Sequence, residues 1–290
     1  MRWRTCIGNP GATPPSRGRG LVALLAVALL ASASLLHAQP FPRPSAVPGG
    51  IAKVTLGSGE NPPRARVKGQ RVLVTREDGQ WLALVGIALD AKPGSRLRLQ
   101  VEQPDGKREL LRIAVGAKQY ASQHLSVPQE QVDLPAKELL RFAREQAHLK
   151  KVLATFRDAP PATLAMLQPV PGQRSATFGL RRYFNGEARR PHNGMDIAAP
   201  AGTEVLATAA GRVVDAGDYV FSGRTLILDH GEGLLSLYAH LKTVHASVGQ
   251  EIAAGAPIGE VGATGRVTGP HLHFSIYLNA VAVDPALFLP

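Results

Sequence analysis

A chain of 290 residues that is 44% hydrophobic has room for two ordinary domains with buried cores, and 30 glycines and 23 prolines argue for strands and turns over a helical bundle. Its single cysteine, Cys6, excludes an internal disulfide framework. The formal charge of +11 would suit nucleic acid, an anionic wall or a membrane surface.

The N-terminus narrows that choice. Arg2, Arg4, Arg17 and Arg19 precede an apolar run from Leu21 to Leu36, closed by the small-residue stretch Leu36-His37-Ala38. Residues 1–38 therefore read as a secretory signal cleaved near Ala38. Left uncleaved, the run would instead anchor the chain in a membrane, although it is just short of the roughly 17 to 25 residues that span a bilayer. Cleavage removes four arginines, Cys6 and no acid, leaving 29 basic and 22 acidic residues, a charge of +7. The mature protein is expected to be exported, in the periplasm or cell envelope, with no nucleic-acid partner.

Residues 39–50, with Pro40, Pro42, Pro44 and Pro48, read as an extended, turn-rich lead-in, with packing from about Ile51. Residues 51–134 read as a β-rich domain. Arg71 to Thr75 and Trp81 to Val85 flank Asp78-Gly79, while Arg96 to Val101 and Leu110 to Ile113 flank Asp105-Gly106. Both Asp-Gly pairs suit tight hairpin turns, which predicts a small antiparallel sandwich or barrel. Residues 135–171 hold a connecting helix and a Pro-rich linker: Pro135 opens apolar residues at helical spacing to about Phe156, and Pro160-Pro161 and Pro169-Val170-Pro171 follow. Residues 172–290 are again strand-like. Gly202-Thr203-Glu204-Val205 echoes Gly249-Gln250-Glu251-Ile252, which suits two similar turns in one sheet.

Six of nine histidines follow residue 190, so the chemistry is sought there. His192, Gly194 and Asp196 are spaced by two, as are His271 and His273, so in extended chain each set projects from one face. His192, Asp196 and one of the His271/His273 pair can form a three-donor site that suits zinc and leaves a fourth position for water. The His-Glu-x-x-His helix motif is missing, so His240 and the other member of the pair are the proton-transfer candidates. A lone histidine is more often a structural residue, and His230, in Asp229-His230-Gly231, and His245 read as turn or surface positions.

The C-terminal part resembles the lysostaphin/LytM-type zinc endopeptidases. The resemblance rests on Thr177-Phe178-Gly179-Leu180-Arg181, His192-x-x-x-Asp196, Pro200-Ala201-Gly202-Thr203, Leu237-Tyr238-Ala239-His240-Leu241, Gly262-Ala263-Thr264-Gly265 and Gly269-Pro270-His271-Leu272-His273-Phe274. It implies that His192, Asp196 and His273 bind one Zn2+ per chain and that His240 and His271 are the catalytic pair. Residues 51 to 156 are similar to the β-rich domain that precedes the peptidase in Gram-negative-type members, with Val47-Pro48-Gly49-Gly50 and Gln123-x-Leu125-x-Val127-Pro128 as its marks. Ser275 stands where many members have Glu, which removes an acceptor behind the site while touching no ligand. The oxyanion tyrosine of some members does not align, leaving Tyr183 as the candidate.

The expected fold is mostly β: a C-terminal antiparallel β-sheet peptidase domain, a small sandwich-like N-terminal domain and a connecting helix. The resemblance implies hydrolysis of peptide cross-links between peptidoglycan stem peptides; in a Gram-negative-type member the bond would be D-alanyl–diaminopimelate. The competing reading is a non-catalytic wall-binding or hydrolase-activating protein on the same fold. A lipoyl-like carrier, suggested by Val248-Gly249-Gln250 and Pro257-Ile258-Gly259, fails because no lysine sits at the hairpin tip.

Overall fold

Alternation of apolar and polar residues builds the first half of the chain hairpin by hairpin. The computed structural model describes residues 41–126 and 135–290; the signal, its cleavage point and the Val127-Pro128 end of the N-terminal motif lie outside them. Strands β1 (Ile51–Ser58), β2 (Arg64–Val67), β3 (Gln70–Arg71), β4 (Leu73–Glu77), β5 (Gln80–Gly86), β6 (Arg96–Glu102) and β7 (Arg108–Ala114) form two antiparallel sheets, β1-β5-β4 and β3-β2-β6-β7. Asp78 and Gly79 take φ of +48° and +79°, the turn whose twist matches the strands it joins. The Asp105-Gly106 connection is looser than the tight turn expected. Gln103 N donates to Lys107 O and Lys107 N to Asp105 Oδ1, so the loop runs from Gln103 to Lys107. Val74, Ala83, Val85, Leu99, Val101 and Ile113 pack together in the sandwich core.

Packing begins before Ile51. Arg43 N donates to Leu287 O and the Arg43 guanidinium to the carbonyls of Ala286 and Leu289, so the Pro-rich lead-in is fastened to the C-terminal end. Gly86 N donates to Asn279 Oδ1, and Ile51, Leu73 and Leu84 join the C-terminal core, so the sandwich is seated on the second half.

After β8 (Ser122–Leu125), the helix α1 (Ala136–Val152) starts directly behind Pro135, whose φ of −54° already suits a helix, and ends at Leu153, short of Phe156. Its apolar spacing overstates its burial. Leu139 and Leu140 are exposed, and only Leu149, Val152 and Leu153 at the far end join a core cluster. No helix among the described residues is long and apolar enough to cross a membrane.

The remaining strands are β9 (Gln173–Ala176), β10 (Arg181–Phe184), β11 (Glu187–Ala188), β12 (Met195–Ala198), β13 (Glu204–Leu206), β14 (Gly211–Tyr219), β15 (Gly223–Gly231), β16 (Leu234–Val244), β17 (Glu251–Ile252), β18 (Pro257–Val261), β19 (Leu272–Leu278) and β20 (Val281–Val283). All but β10 and β11 belong to one ten-stranded sheet whose main path is β17-β14-β15-β16-β19-β12-β9. β10 lies between β11 and β8, and pairs with β8 in parallel. The sequence echo is structural: Thr203 N donates to Pro200 O and Gln250 N to Ser247 O, with Gly202 and Gly249 at φ of +88° and +91°. Each turn leads into a short strand, β13 or β17.

Candidate metal centre and active site

Asp196 and His273 face each other across the pairing of β12 with β19. His192 does not lie on a strand, as its spacing suggested, but in the loop before β12. That loop is held by the Thr177-Phe178-Gly179-Leu180 segment: Gly179 N donates to His192 O, His192 N to Leu180 O, and His192 Nδ1 to Thr177 O. Gly194 lets the loop close onto β19, because a Cβ there would stand 2.4 Å from both Phe274 O and Ser275 Oγ.

His192 Nε2, His273 Nδ1 and Asp196 Oδ1 lie at 3.0 Å from one another. Since a carbonyl only accepts, the Thr177 contact fixes the His192 proton on Nδ1 and leaves Nε2 bare. His273 is turned the other way: with its proton on Nε2, donated to the Ser275 hydroxyl at 2.9 Å, it leaves Nδ1 bare. Three acceptors then meet with no proton between them, which is unfavourable unless a cation joins them. In a tetrahedral zinc site with bonds of about 2.0–2.1 Å the donors stand roughly 3.3 Å apart, close to what is seen. Two imidazoles and a carboxylate are also donors that zinc prefers. Burial alone would raise the Asp196 carboxyl, but its close contacts with the His192 and His273 rings hold it well below the ordinary carboxylate range.

His240 and His271 stand beside this triangle, ring centroids 4.8 Å apart, with His271 Nε2 3.8 Å from Asp196 Oδ1. The Gly262-Ala263-Thr264-Gly265 loop positions both: His240 Nδ1 donates to Thr264 O and His271 N to Gly262 O. His271 Nδ1 donates to Gly269 O, so both rings keep Nε2 bare. His240 has φ of +62°, rare outside glycine, at a point where β16 slips register against β15, just before a second slip against β18 between Leu241 and Thr243. The bulge re-aims the ring out of the strand's alternation. Burial, then the neighbouring His273, pushes the His240 imidazole down to about 4.

The five residues line a cleft of about 480 Å³ whose wall also includes Gln123, Leu125, Arg182 and Phe184. Arg182, which the sequence reading passed over, places Nη2 3.6 Å from Asp196 Oδ2. Alternation along β10 could have found it, since Arg182 and Phe184 share a face and Tyr183 takes the other. Tyr183 stacks on His124 at 4.5 Å and is not among the cleft residues, which removes it as the oxyanion candidate. Ser275 is corrected in the other sense: it touches a ligand candidate as the acceptor behind His273. His230 is neither turn nor surface. It is 2% exposed on β15, with Nδ1–H donating to Ala210 O and Nε2 2.7 Å from Ser236 Oγ.

Residues 190–285 match Peptidase family M23, and residues 44–118 match the Peptidase family M23 N-terminal domain. A Pseudomonas aeruginosa structure assigned to peptidase M23 is 40% identical, with a TM-score of 0.73 over 85% of this chain and 96% of that one. Peptidoglycan DD-endopeptidase ShyA of Vibrio cholerae is 38% identical over 111 residues, 38% of this chain and 26% of that protein. DD-carboxypeptidase/endopeptidase Mpg of Neisseria meningitidis is 40% identical over 111 residues, again 38% and 26%. The chain thus spans about a quarter of the length of these curated relatives. With 96% of the Pseudomonas chain covered at 40% identity, this protein belongs to peptidase family M23.

Proposed function

We propose that this protein is an exported zinc metalloendopeptidase that hydrolyses peptide cross-links in bacterial peptidoglycan, in the periplasm or cell envelope. The observation that carries the reading is the triangle of bare donors on His192, Asp196 and His273, with two further imidazoles beside it. The names of ShyA and Mpg favour the D-alanyl–diaminopimelate bond over a glycine bridge. The division into a β-rich domain, a connecting helix and linker, and a peptidase domain from about residue 172 is part of the same proposal.

Zinc held by His192, Asp196 and His273 would polarise the scissile carbonyl and bring the pKa of water towards about 7. The bare Nε2 of His271, next to the triangle, takes the water's proton, and the resulting imidazolium returns it to the leaving amine. His240, fixed through Thr264, keeps a bare Nε2 beside His271 and is a second acceptor for the same proton. Arg182 holds the second oxygen of Asp196 and adds positive charge to the cleft wall.

The test is zinc content together with release of soluble muropeptides from purified peptidoglycan by wild type and His271→Ala. One zinc per chain in both, with release abolished in the variant, is the expected result. Zinc-free protein that still binds the wall would favour a non-catalytic wall-binding role, and undiminished release by His271→Ala would remove that residue from the chemistry.

A further inference from the structure

The outward face of the β3-β2-β6-β7 sheet takes no part in the site above. Alternation and register put Arg64, Arg66, Arg96, Arg98, Arg108 and Arg112 on this one face, every one exposed. Glu102 is the acidic residue there, and Arg108 holds it at 3.2 Å. Register crowds the charge further: Arg98 stands directly opposite Arg112, and Arg66 opposite Arg71, which Asp158 pairs. Like charges directly opposite destabilise a sheet, so the fold bears a cost that mixed surface charge would avoid. Arg96, Arg98 and Arg112 have no ion-pair partner among the described residues.

The residue types say what the face would meet. Every cation named there is an arginine, whose planar fork binds phosphate through two parallel hydrogen bonds, whereas solubility alone would be served as well by lysine. Leu110, 49% exposed, stands among them opposite Gln100. A basic patch around an apolar side chain is suited to a lipid interface, where the cations meet headgroups and the apolar group enters the boundary. The charges also spread over a sheet surface, about 4.8 Å apart between strands and about 6.7 Å along them; Arg64, Arg66 and Arg108 line one depression, but Arg96, Arg98 and Arg112 lie outside it, so the set does not track one groove as a nucleic-acid strand requires.

We propose that this arginine face docks the N-terminal sandwich on a lipid surface bearing anionic phosphate headgroups. The proposal is independent of the peptidase chemistry. The test partitions the full chain onto vesicles of phosphatidylcholine alone and of phosphatidylcholine with phosphatidylglycerol. Binding to neutral vesicles accounts for the apolar run Leu21 to Leu36, and the part of the anionic increment that the variants remove reports the face, Arg2, Arg4, Arg17 and Arg19 being common to all. Arg112→Glu removes one guanidinium and neutralises Arg98, so that increment should fall about thirtyfold and depend less steeply on salt. Because the substitution turns a like-charged pair into an opposite-charged one, the melting temperature should hold or rise. The double variant Arg98→Gln, Arg112→Gln, which creates no new pair, should lower the increment by a similar factor. An anionic increment equal to wild type in both variants would overturn the proposal. So would loss of binding to peptidoglycan sacculi or single-stranded RNA in the variants while vesicle binding is kept, which would assign the face to those polymers.

Discussion

Both halves of the protein are antiparallel sheet, yet they dispose of polar side chains in opposite ways. The sandwich sends its charge outward, and none of its polar or charged side chains is buried. Among the described residues, every buried polar or charged side chain lies at or beyond His192. Burying such groups is costly unless each finds a partner. In the C-terminal half the partners come in two sets, the cleft and a closed core network. In the network His230, Ser236, Tyr238 and Thr208 are joined by contacts of 2.7 to 3.0 Å. The comparison teaches that the same secondary structure can be a scaffold whose only polar face is its outer one, or a frame for polar groups that need shielding from water.

The difference can be broken at the cleft first. Asp196→Ala removes one of three donors and the only negative one, so zinc affinity, measured by competition with a chelating dye, should fall by more than the roughly 100-fold that a residue behind a ligand can cost. Retained affinity would show that the triangle is not the metal site. Ser275→Ala deletes the acceptor that turns His273, and a loss of about 10- to 100-fold is expected. If the affinity stays at the wild-type level, Ser275 is only a filler of the core.

The smallest effect tests the closed network. Burial lowers the His230 pKa from its ordinary 6.5, so the folded chain keeps this ring neutral at pH values where the unfolded chain protonates it. Stability is therefore untouched by His230 above about pH 6.5 and falls as pH drops below it, by at most about 1.4 kcal/mol per pH unit. His230→Gln, which can still donate to Ala210 O and accept from Ser236, should flatten that part of the denaturation profile between pH 6.5 and 5. An identical slope in the variant would mean that other groups set the acid sensitivity.

How much of this was legible in the sequence follows from the range of the interactions involved. Asp78-Gly79 announced its hairpin because left-handed backbone is a local demand, and Pro135 announced a helix start for the same reason. Spacing grouped the donors but left His271 and His273 interchangeable. The ring orientations that separate them come from Gly269 O and Ser275 Oγ. His230 was misread because Asp229-His230-Gly231 looks like a turn, whereas β15 runs through Gly231 and the chain reverses at Glu232-Gly233. Leu139 and Leu140 had helical spacing with no core to face, since α1 meets β14 through the polar side chains of Arg141 and His148 and adds apolar ones to a core cluster only at its end. The arginine face was visible in the alternation of Arg96-Leu97-Arg98-Leu99, but the opposition of Arg98 and Arg112 needed the register.

The parallel pairing of β8 with β10 has a consequence for how a peptide can be read. With β11 on its other side, β10 has no open hydrogen-bonding edge on the cleft wall. A peptide therefore cannot pair with β10 by extending a sheet, the route in which main-chain hydrogen bonds hold an extended strand. Recognition at β10 falls instead to side-chain tips such as Arg182 and Phe184. That makes the wall a reader of functional groups, suited to a branched or D-configured chain that could not lie flat as an ordinary strand.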